Sequence, residues 1–449
     1  MNENIYEEKS VNRLIFTFSI PAILSLVVEI LTSVVDTAFA GHLGAQSADA
    51  LTAMGLISPI LAIFTATQTL FAISTAVMIA KYLNDKKALN NHFSCGFTMT
   101  IFVSIVTSIG FYLFLNPILN KLGAEGQIFY LAKQYLKVQL LSNIFSSIGY
   151  TLTSCIRAFG NPKIESVIIS VSVVINITFN AIFTFGFSMG LFGIALGTLI
   201  SEVVCAVISI AWLWKKKLWF KKYEIKISEF TEMVFAMFKI GIAQTLIQIL
   251  ASCTGFIVNN SLMTLGGTLY IAAWNLSQKL YMLALMPIVG ITQGVQTIIA
   301  YFDGNQEKSK ELKTIRLTIL YSMIYGIIAT VSSFFMGDKI LLLFGTTPEI
   351  HSIATCVIRV IFITFPFVGI LYTVMTLLQV TGREIEAVIL GLTRQLILIV
   401  PLIILLPMIF SRISTSITPV FSIFLAIPLA DIFSTVVALM LLKINNRLK

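Results

Sequence analysis

Four acidic side chains lie within stretches of sequence that are otherwise apolar: Glu29, Asp36, Glu202 and Asp431. A carboxylate inside a lipid bilayer is costly, and it usually serves an ion or a substrate. Glu29 and Asp36 are seven residues apart in the sequence, which is about two turns of a helix. The two carboxylates therefore share roughly one helix face, and this pattern indicates a protein that handles ions or organic cations.

Three uncharged polar residues accompany these acids. Asn176 and Asn180 are one turn apart and share a face, and Thr198 lies one turn before Glu202. If their helices converge on Asp36, the four side chains form an oxygen-rich pocket with one formal negative charge.

Such a pocket suits a proton or a sodium ion. The sequence therefore predicts a cation-coupling site made of Asp36, Asn176, Asn180 and Thr198, with H⁺ or Na⁺ as the coupling ion and no other cofactor or structural metal. Glu29, Glu202 and Asp431 are candidates for attracting a cationic substrate in a cleft. The alternative is a packing role, because amide and hydroxyl side chains also join membrane helices.

The elements that would position these residues are membrane helices. The chain has 449 residues, 57% hydrophobic and 11% charged, and it contains a dozen apolar stretches of at least the roughly 20 residues that a bilayer crossing needs. Backbone groups in hydrocarbon must be paired within a helix, so the predicted fold class is an all-α polytopic membrane protein. The predicted spans are 14–40, 51–80, 93–115, 134–156, 164–187, 190–214, 236–262, 270–300, 314–336, 351–380, 386–410 and 416–442.

The basic residues concentrate in alternate connections, most densely after the sixth span, at Lys215–Lys217, Lys221 and Lys222. This bias places both termini in the cytoplasm and the protein in the inner, or plasma, membrane. The net charge of +9 then reflects lysines that anionic lipid attracts, so we expect the bilayer and not nucleic acid as a partner. Five isolated cysteines are expected to pack as small apolar residues.

Short segments recur in order along the chain. Phe18 and Ile20 return as Phe238 and Ile240, an offset of 238 − 18 = 220, and Gly160 returns as Gly382, an offset of 382 − 160 = 222. Each repeat holds six spans, so the two copies have the same orientation, related by a parallel pseudo-twofold axis. We predict an amino-terminal lobe over 1–215, a cytoplasmic linker over 216–235 and a carboxy-terminal lobe over 236–449.

Several segments, in this order, resemble the multidrug and toxic compound extrusion (MATE) family, and within it the MepA-like and DinF-like bacterial branch. They are Pro21, Asp36–Gly44, Arg157–Pro162, Asn176–Phe187 and Gly193–Thr198. The resemblance covers essentially the whole chain. It implies a two-lobed exporter of amphipathic, often cationic compounds, driven by inward H⁺ or Na⁺ and carrying its cation site in the amino-terminal lobe.

Asp36, Asn176 and Thr198 match the cation-site pattern of that branch. The sequence departs from it at Asn180, where relatives usually carry an aspartate. The replacement removes one titratable group and one formal charge from the site that the resemblance implies.

We therefore predict a secondary active antiporter, a monomer that exports amphipathic cationic small molecules by rocking-lobe alternating access. The alternative within the same superfamily is a flippase for a lipid-linked saccharide or a lipid, and a saccharide flippase is expected to have a basic cleft and often fourteen spans. Arg359 and Arg394 leave room for it, although both lie near helix ends and are expected to snorkel to the surface. A channel does not need the duplicated lobes.

A membrane-embedded enzyme needs a nucleophile and base, or metal ligands, at matched depth, and the sequence offers no such set. Its three histidines, His42, His92 and His351, lack the spacing of metal ligands.

Overall fold

The computed structural model describes residues 5–219, 227–342, 348–413 and 418–444, and this part of the chain is helical without strands. The first half contains eight helices: α1 (Ile5–Glu8), α2 (Val11–Gly41), α3 (Ser47–Lys81), α4 (Lys86–Leu113), α5 (Leu115–Lys121), α6 (Gly126–Ala158), α7 (Pro162–Ala181) and α8 (Gly190–Lys215). The second half contains seven: α9 (Ile227–Gly304), α10 (Lys308–Leu342), α11 (Pro348–Phe362), α12 (Phe365–Val380), α13 (Glu384–Leu392), α14 (Val400–Arg412) and α15 (Pro419–Ile444).

Local sequence sets several helix ends. Asp85 caps α4, because its carboxylate accepts hydrogen bonds from the backbone N–H groups of Lys87 and Ala88. Gly160, at φ +84°, follows the end of α6, and Pro162 opens α7 at a position where a missing N–H costs nothing. The short connection between α6 and α7 is thus fixed by residue type.

Two stretches of π-helix interrupt the regular pattern. Ile182–Gly186 follows α7, and Thr393–Ile399 joins α13 to α14. Such irregular turns are often found at functional positions in membrane and soluble helices. The first comes two residues after Asn180, and the second contains Arg394.

Ten helices among the described residues are long and apolar enough to cross a membrane, and the bent pair α11 and α12 adds an eleventh span. The one remaining predicted span, 134–156, coincides with α6, which has 33 residues but is less apolar than the other spans. Its lower hydropathy comes from a stripe of buried polar side chains that includes Gln139, Ser142 and Asn143. The prediction of an all-α polytopic chain is confirmed.

The first compact unit comprises the residues up to Ser10 together with Phe16–Thr245. Its core joins α3, α5, α6 and α8 through Ala53, Ile57, Leu119, Tyr135 and Ile194. The helices pack around these apolar side chains, and the polar face of α6 is thereby turned toward α2, α7 and α8, whose residues line the same cavity.

The second unit comprises Val11–Ile15 and the chain from Leu246 onward. Its core is rich in aromatic rings, with Phe362 and Phe365 stacked at 4.9 Å and Tyr281 edge-on to Phe365 at 5.4 Å. Within this unit α9 breaks at Gly267, whose φ of 74° and ψ of −168° are not helical. Glycine tolerates that conformation at little cost, so one long stretch serves as two spans.

The contacts divide the chain between Thr245 and Leu246, inside α9. The predicted division lies earlier, in the linker 216–235, of which 220–226 lies outside the described residues. The lobe boundaries given in the sequence analysis stay a prediction.

Candidate functional site

A line of hydrogen bonds joins the four predicted cation-coupling residues. Asn180 Nδ2 donates to Asp36 Oδ1 at 2.6 Å and to Asn176 Oδ1 at 3.0 Å. Asn176 Nδ2 in turn donates to Thr198 Oγ1 at 3.2 Å. The structure thus brings side chains from α2, α7 and α8 together, as the sequence analysis expected if those helices converged.

The donor-to-acceptor direction of these hydrogen bonds is set by Thr198 and Ser201, at the end of the line that is farthest from Asp36. The Thr198 hydroxyl donates to the Ile194 carbonyl at 3.1 Å, and the Ser201 hydroxyl donates to the Thr198 carbonyl at 2.8 Å. Asn176 Nδ2 also lies 3.5 Å from Ser201 Oγ. Each hydroxyl has one proton, so both hydroxyls can only accept from the Asn176 amide. Asn176 must then accept through its oxygen from one N–H of Asn180, and the other N–H of Asn180 is donated to Asp36.

Asp36 is therefore the single acceptor at the end of a one-way line of donors. It is buried, at 8% relative exposure, and Asn180 is fully buried. The Oδ1 atom of Asn180 has no hydrogen-bond partner among the described residues. It is the one amide oxygen of the line that is not already accepting a hydrogen bond.

Gly197 is what allows α8 to lie against Asn180. A Cβ built at this glycine would stand 1.9 Å from Asn180 Oδ1 and 2.7 Å from the Asn180 backbone nitrogen. No side chain fits in that space. The close approach of α7 and α8 thus depends on a glycine one residue before Thr198.

A cavity of about 330 Å³ lies inside the first unit and contains this site. Its lining includes Asp36, Asn176 and Thr198, and also the two other acids of this half of the chain, Glu29 and Glu202. The apolar part of the lining is Met54, Leu61, Phe64, Ile169 and Val173. Among the described residues that line this cavity there is no Lys, Arg or His.

Glu29 and Glu202 lie on one side of the hydrogen-bonded line. Glu202 is one turn beyond Thr198 on α8, and it lines the cavity together with Ser146 of α6. Glu29 precedes Asp36 by about two turns of α2, and it lines the same cavity as Glu202. The cavity therefore holds two separate acidic positions.

The structure does not bring Asp431 to this cavity. Asp431 belongs to the second unit, where it is fully buried, accepts from Arg394 Nε at 2.7 Å and accepts from the Thr364 hydroxyl at 3.2 Å. Its charge is already matched by a protein cation, so it is not available to a substrate in the way that the sequence suggested.

The expectation that Arg394 snorkels to the surface is wrong. Its side chain is 11% exposed and paired with Asp431, because a guanidinium in an apolar core is stable only beside an opposite charge. Arg359, by contrast, is exposed.

The polar face of α6 was missed in the sequence analysis. Seven of its residues line the cavity, and Gln139, Ser142, Asn143 and Ser146 among them follow helical spacing. Asn143 is held in place by donating to Ser108 at 3.0 Å and accepting from Gln68 at 3.4 Å. The available signal was this polar periodicity within a span of ordinary length.

A helical chain with many membrane spans and an acidic, hydroxyl-rich cavity inside one of its units is a membrane transport protein. The chain belongs to the MatE family, whose model matches it twice, over residues 21–182 and 244–405. The two matches begin 244 − 21 = 223 residues apart, which confirms the internal repeat. The predicted membership of the MATE family is likewise confirmed.

Relatives and solved structures agree with this assignment. The chain is 28% identical over 405 residues to the multidrug export protein MepA of Staphylococcus haemolyticus, covering 89% of this chain and 88% of that protein. A crystal structure of MATE in complex with MaD3S superposes with a TM-score of 0.90 at 18% identity, covering 99% of this chain and 98% of the other. A variant of the Vibrio cholerae MATE transporter VcmN gives 0.89 at 19% identity, with 98% of each chain covered.

Proposed function

We propose that the protein is a secondary active antiporter that exports amphipathic, cationic small molecules in exchange for inward H⁺ or Na⁺. Membership of the MatE family and the likeness to a multidrug export protein support the export of several compounds. The observation that carries the proposal is the one-way line of hydrogen bonds that ends on Asp36 in a cavity. A buried carboxylate reached from a cavity can take up and release a cation.

In this mechanism Asp36 alternates between a cation-bound state and the state in which it accepts from Asn180 alone. Asn176 and Thr198 hold Asn180 in position, and Glu29 and Glu202 attract the substrate cation into the same cavity. Alternating access by movement of the two lobes couples the two events. The protein acts as a monomer in the cell membrane with both termini in the cytoplasm, and it carries out no covalent chemistry.

The flippase alternative has less support. A saccharide–phosphate head group is anionic and favours a basic cavity, whereas the described lining of this cavity contains three carboxylates, Glu29, Asp36 and Glu202. Arg394, the residue that left room for that function, is already paired with Asp431.

The test of the proposal is the isosteric variant Asp36→Asn, measured in proteoliposomes for efflux of a fluorescent cationic dye under an imposed ion gradient. We expect gradient-driven efflux to be lost, because an amide cannot exchange a cation. Asp49→Asn, a matched change in the first turn of α3 and outside the cavity lining, is expected to keep it. Full gradient-driven efflux by a folded Asp36→Asn protein would contradict the assignment.

A further inference from the structure

The second unit contains a buried cluster of polar side chains around Asp431. The Oδ1 atom of Asp431 accepts from Arg394 Nε at 2.7 Å, and its Oδ2 atom accepts from the Thr364 hydroxyl at 3.2 Å. Arg394 Nη2 also donates to the phenol oxygen of Tyr281 at 3.5 Å, and the ring of Tyr281 packs edge-on against Phe365. Asp431 is fully buried, so the guanidinium is held by acceptors inside the unit.

The internal repeat relates this cluster to residues that line the cavity of the first unit. Two offsets describe the repeat here: 382 − 160 = 222 up to Gly382, and 386 − 165 = 221 from Glu386 onward. At these offsets three cavity-lining residues have counterparts in the cluster or beside it: Ser142 pairs with Thr364, Tyr150 with Tyr372 and Val173 with Arg394. Arg394 therefore stands where the first unit has an apolar residue of its cavity wall.

The carboxylate of the cluster has a counterpart as well. Three apolar residues of α8 recur in α15 at an offset of 421 − 192 = 229: Phe192, Ile194 and Leu196 return as Phe421, Ile423 and Leu425. The same offset pairs Glu202, which lines the cavity, with Asp431. Both repeats thus carry an acid at this place, but only in the second does a protein cation reach it.

The helix that carries the cation also differs between the repeats. Val173 lies in the regular helix α7, whereas Arg394 is the second residue of the π-helical stretch Thr393–Ile399. A π-helical turn is wider than an α-helical one, and such turns are frequent at functional positions. The irregular turn therefore marks the point at which the wall of the second unit gained its arginine.

The geometry of the cluster suits a guanidinium in particular. A buried carboxylate is stable as an anion only beside an opposite charge. A guanidinium is planar and presents its N–H groups as a rigid fork, and here one arm of the fork meets Asp431 while another meets Tyr281.

We propose that the second unit has a cation site of its own, formed by Asp431, Thr364 and Tyr281, which the protein fills with the guanidinium of Arg394. The site is closed to solutes in the wild-type protein. It takes a free guanidinium-type cation once the side chain of Arg394 is removed. This inference goes beyond the proposed export function, because it concerns the unit that does not contain Asp36.

The test is Arg394→Ala, which removes the atoms of one N-ethylguanidinium ion. Binding of ethylguanidinium to the purified protein in detergent is measured by isothermal titration calorimetry, and thermal unfolding is followed in the same buffer. We expect the variant to unfold at a lower temperature than the wild type and to bind one ethylguanidinium per chain, which raises its unfolding temperature. Ethylammonium, which has the charge without the planar fork, is expected to bind at least about tenfold more weakly.

Controls locate the binding. The wild-type protein is expected to bind no ethylguanidinium, because its own guanidinium fills the site. Arg359→Ala removes an exposed arginine of α11 and is expected to keep the wild-type stability and to bind none. Adding Asp431→Asn to Arg394→Ala should abolish the binding. A folded Arg394→Ala protein that does not bind ethylguanidinium, or a double variant that binds it equally well, would overturn the site.

Folding of the variant is itself informative. Recovery of folded Arg394→Ala protein only when ethylguanidinium is present during purification is an expected result, and failure of recovery both with and without the cation overturns the proposal. The measurement needs no transport, so its failure leaves the antiport proposed for Asp36 untouched. Conversely, Asp36→Asn in the Arg394→Ala background is expected to keep the binding of ethylguanidinium.

Discussion

At the scale of single residues, the most informative feature is the direction of the hydrogen bonds that reach Asp36. Two hydroxyl protons are committed to backbone carbonyls on α8, and this commitment orients Asn176 and then Asn180. The sequence predicted which residues take part, because an intramembrane acid and two amides one turn apart are visible in it. It could not predict the direction, which depends on backbone carbonyls that only the folded helix supplies.

Asn180 is the position at which the family resemblance implies an aspartate, and its neutral amide donates a hydrogen bond to Asp36 at 2.6 Å. We expect Asn180→Asp to strengthen cation binding, because two neighbouring carboxylates repel each other by several kcal/mol, about 4 for unit charges 4 Å apart at an effective dielectric constant near 20. A bound cation relieves that repulsion. The concentration of coupling ion that gives half-maximal dye efflux in vesicles should fall by at least about tenfold.

The control for this change is Asn120→Asp, which adds the same charge at an exposed position of α5 and should leave the ion dependence unaltered. An Asn180→Asp protein with the ion dependence of the wild type would show that Asn180 does not border the bound cation.

At the scale of the helices, α6 shows what hydropathy alone leaves out. The spans were found by apolar content, and this helix is the least apolar of those with full spanning length because its polar face lines the cavity. Its existence was predicted and its role was not. The sequence also could not predict the ion pair between Arg394 and Asp431. The two residues lie on different helices, and neither segment indicates which residue is the partner.

The contact between α7 and α8 depends on Gly197. We expect Gly197→Ala to separate the two helices, because its methyl group would overlap Asn180, whose backbone nitrogen is 2.7 Å from that position. Overpacking of this kind costs about 1–3 kcal/mol, and the shift also moves Asn180 away from Asp36. Thermal unfolding in detergent and gradient-driven efflux should both be reduced.

Gly110→Ala is the matched control, because a Cβ at this glycine of α4 meets nothing within 4 Å. It is expected to keep both stability and efflux. Equal stability of the Gly197→Ala and wild-type proteins would mean that α7 and α8 do not approach as closely as described.

At the scale of the whole molecule, the two repeats have diverged in charge. The first unit keeps Glu29, Asp36 and Glu202 around a cavity without a protein cation among its described lining. In the second unit Asp431 is neutralised by Arg394 within an aromatic core. The internal repeat could be predicted from recurring segments, but this asymmetry required side-chain contacts. It supports the proposal that the first unit handles the exchangeable cations.

The oxygen atoms available around Asp36 favour one coupling ion, and we expect it to be the proton. A hard metal cation takes about six oxygen ligands, whereas the Asn176 oxygen already accepts from Asn180 and the free oxygen of Asn180 lies against Gly197. A proton needs only one free carboxylate oxygen on Asp36. In proteoliposomes, a proton gradient directed against the dye should accelerate efflux at constant sodium, and an equal sodium gradient at constant pH should not. Acceleration by sodium alone would show that the line of amides rearranges to bind a metal ion.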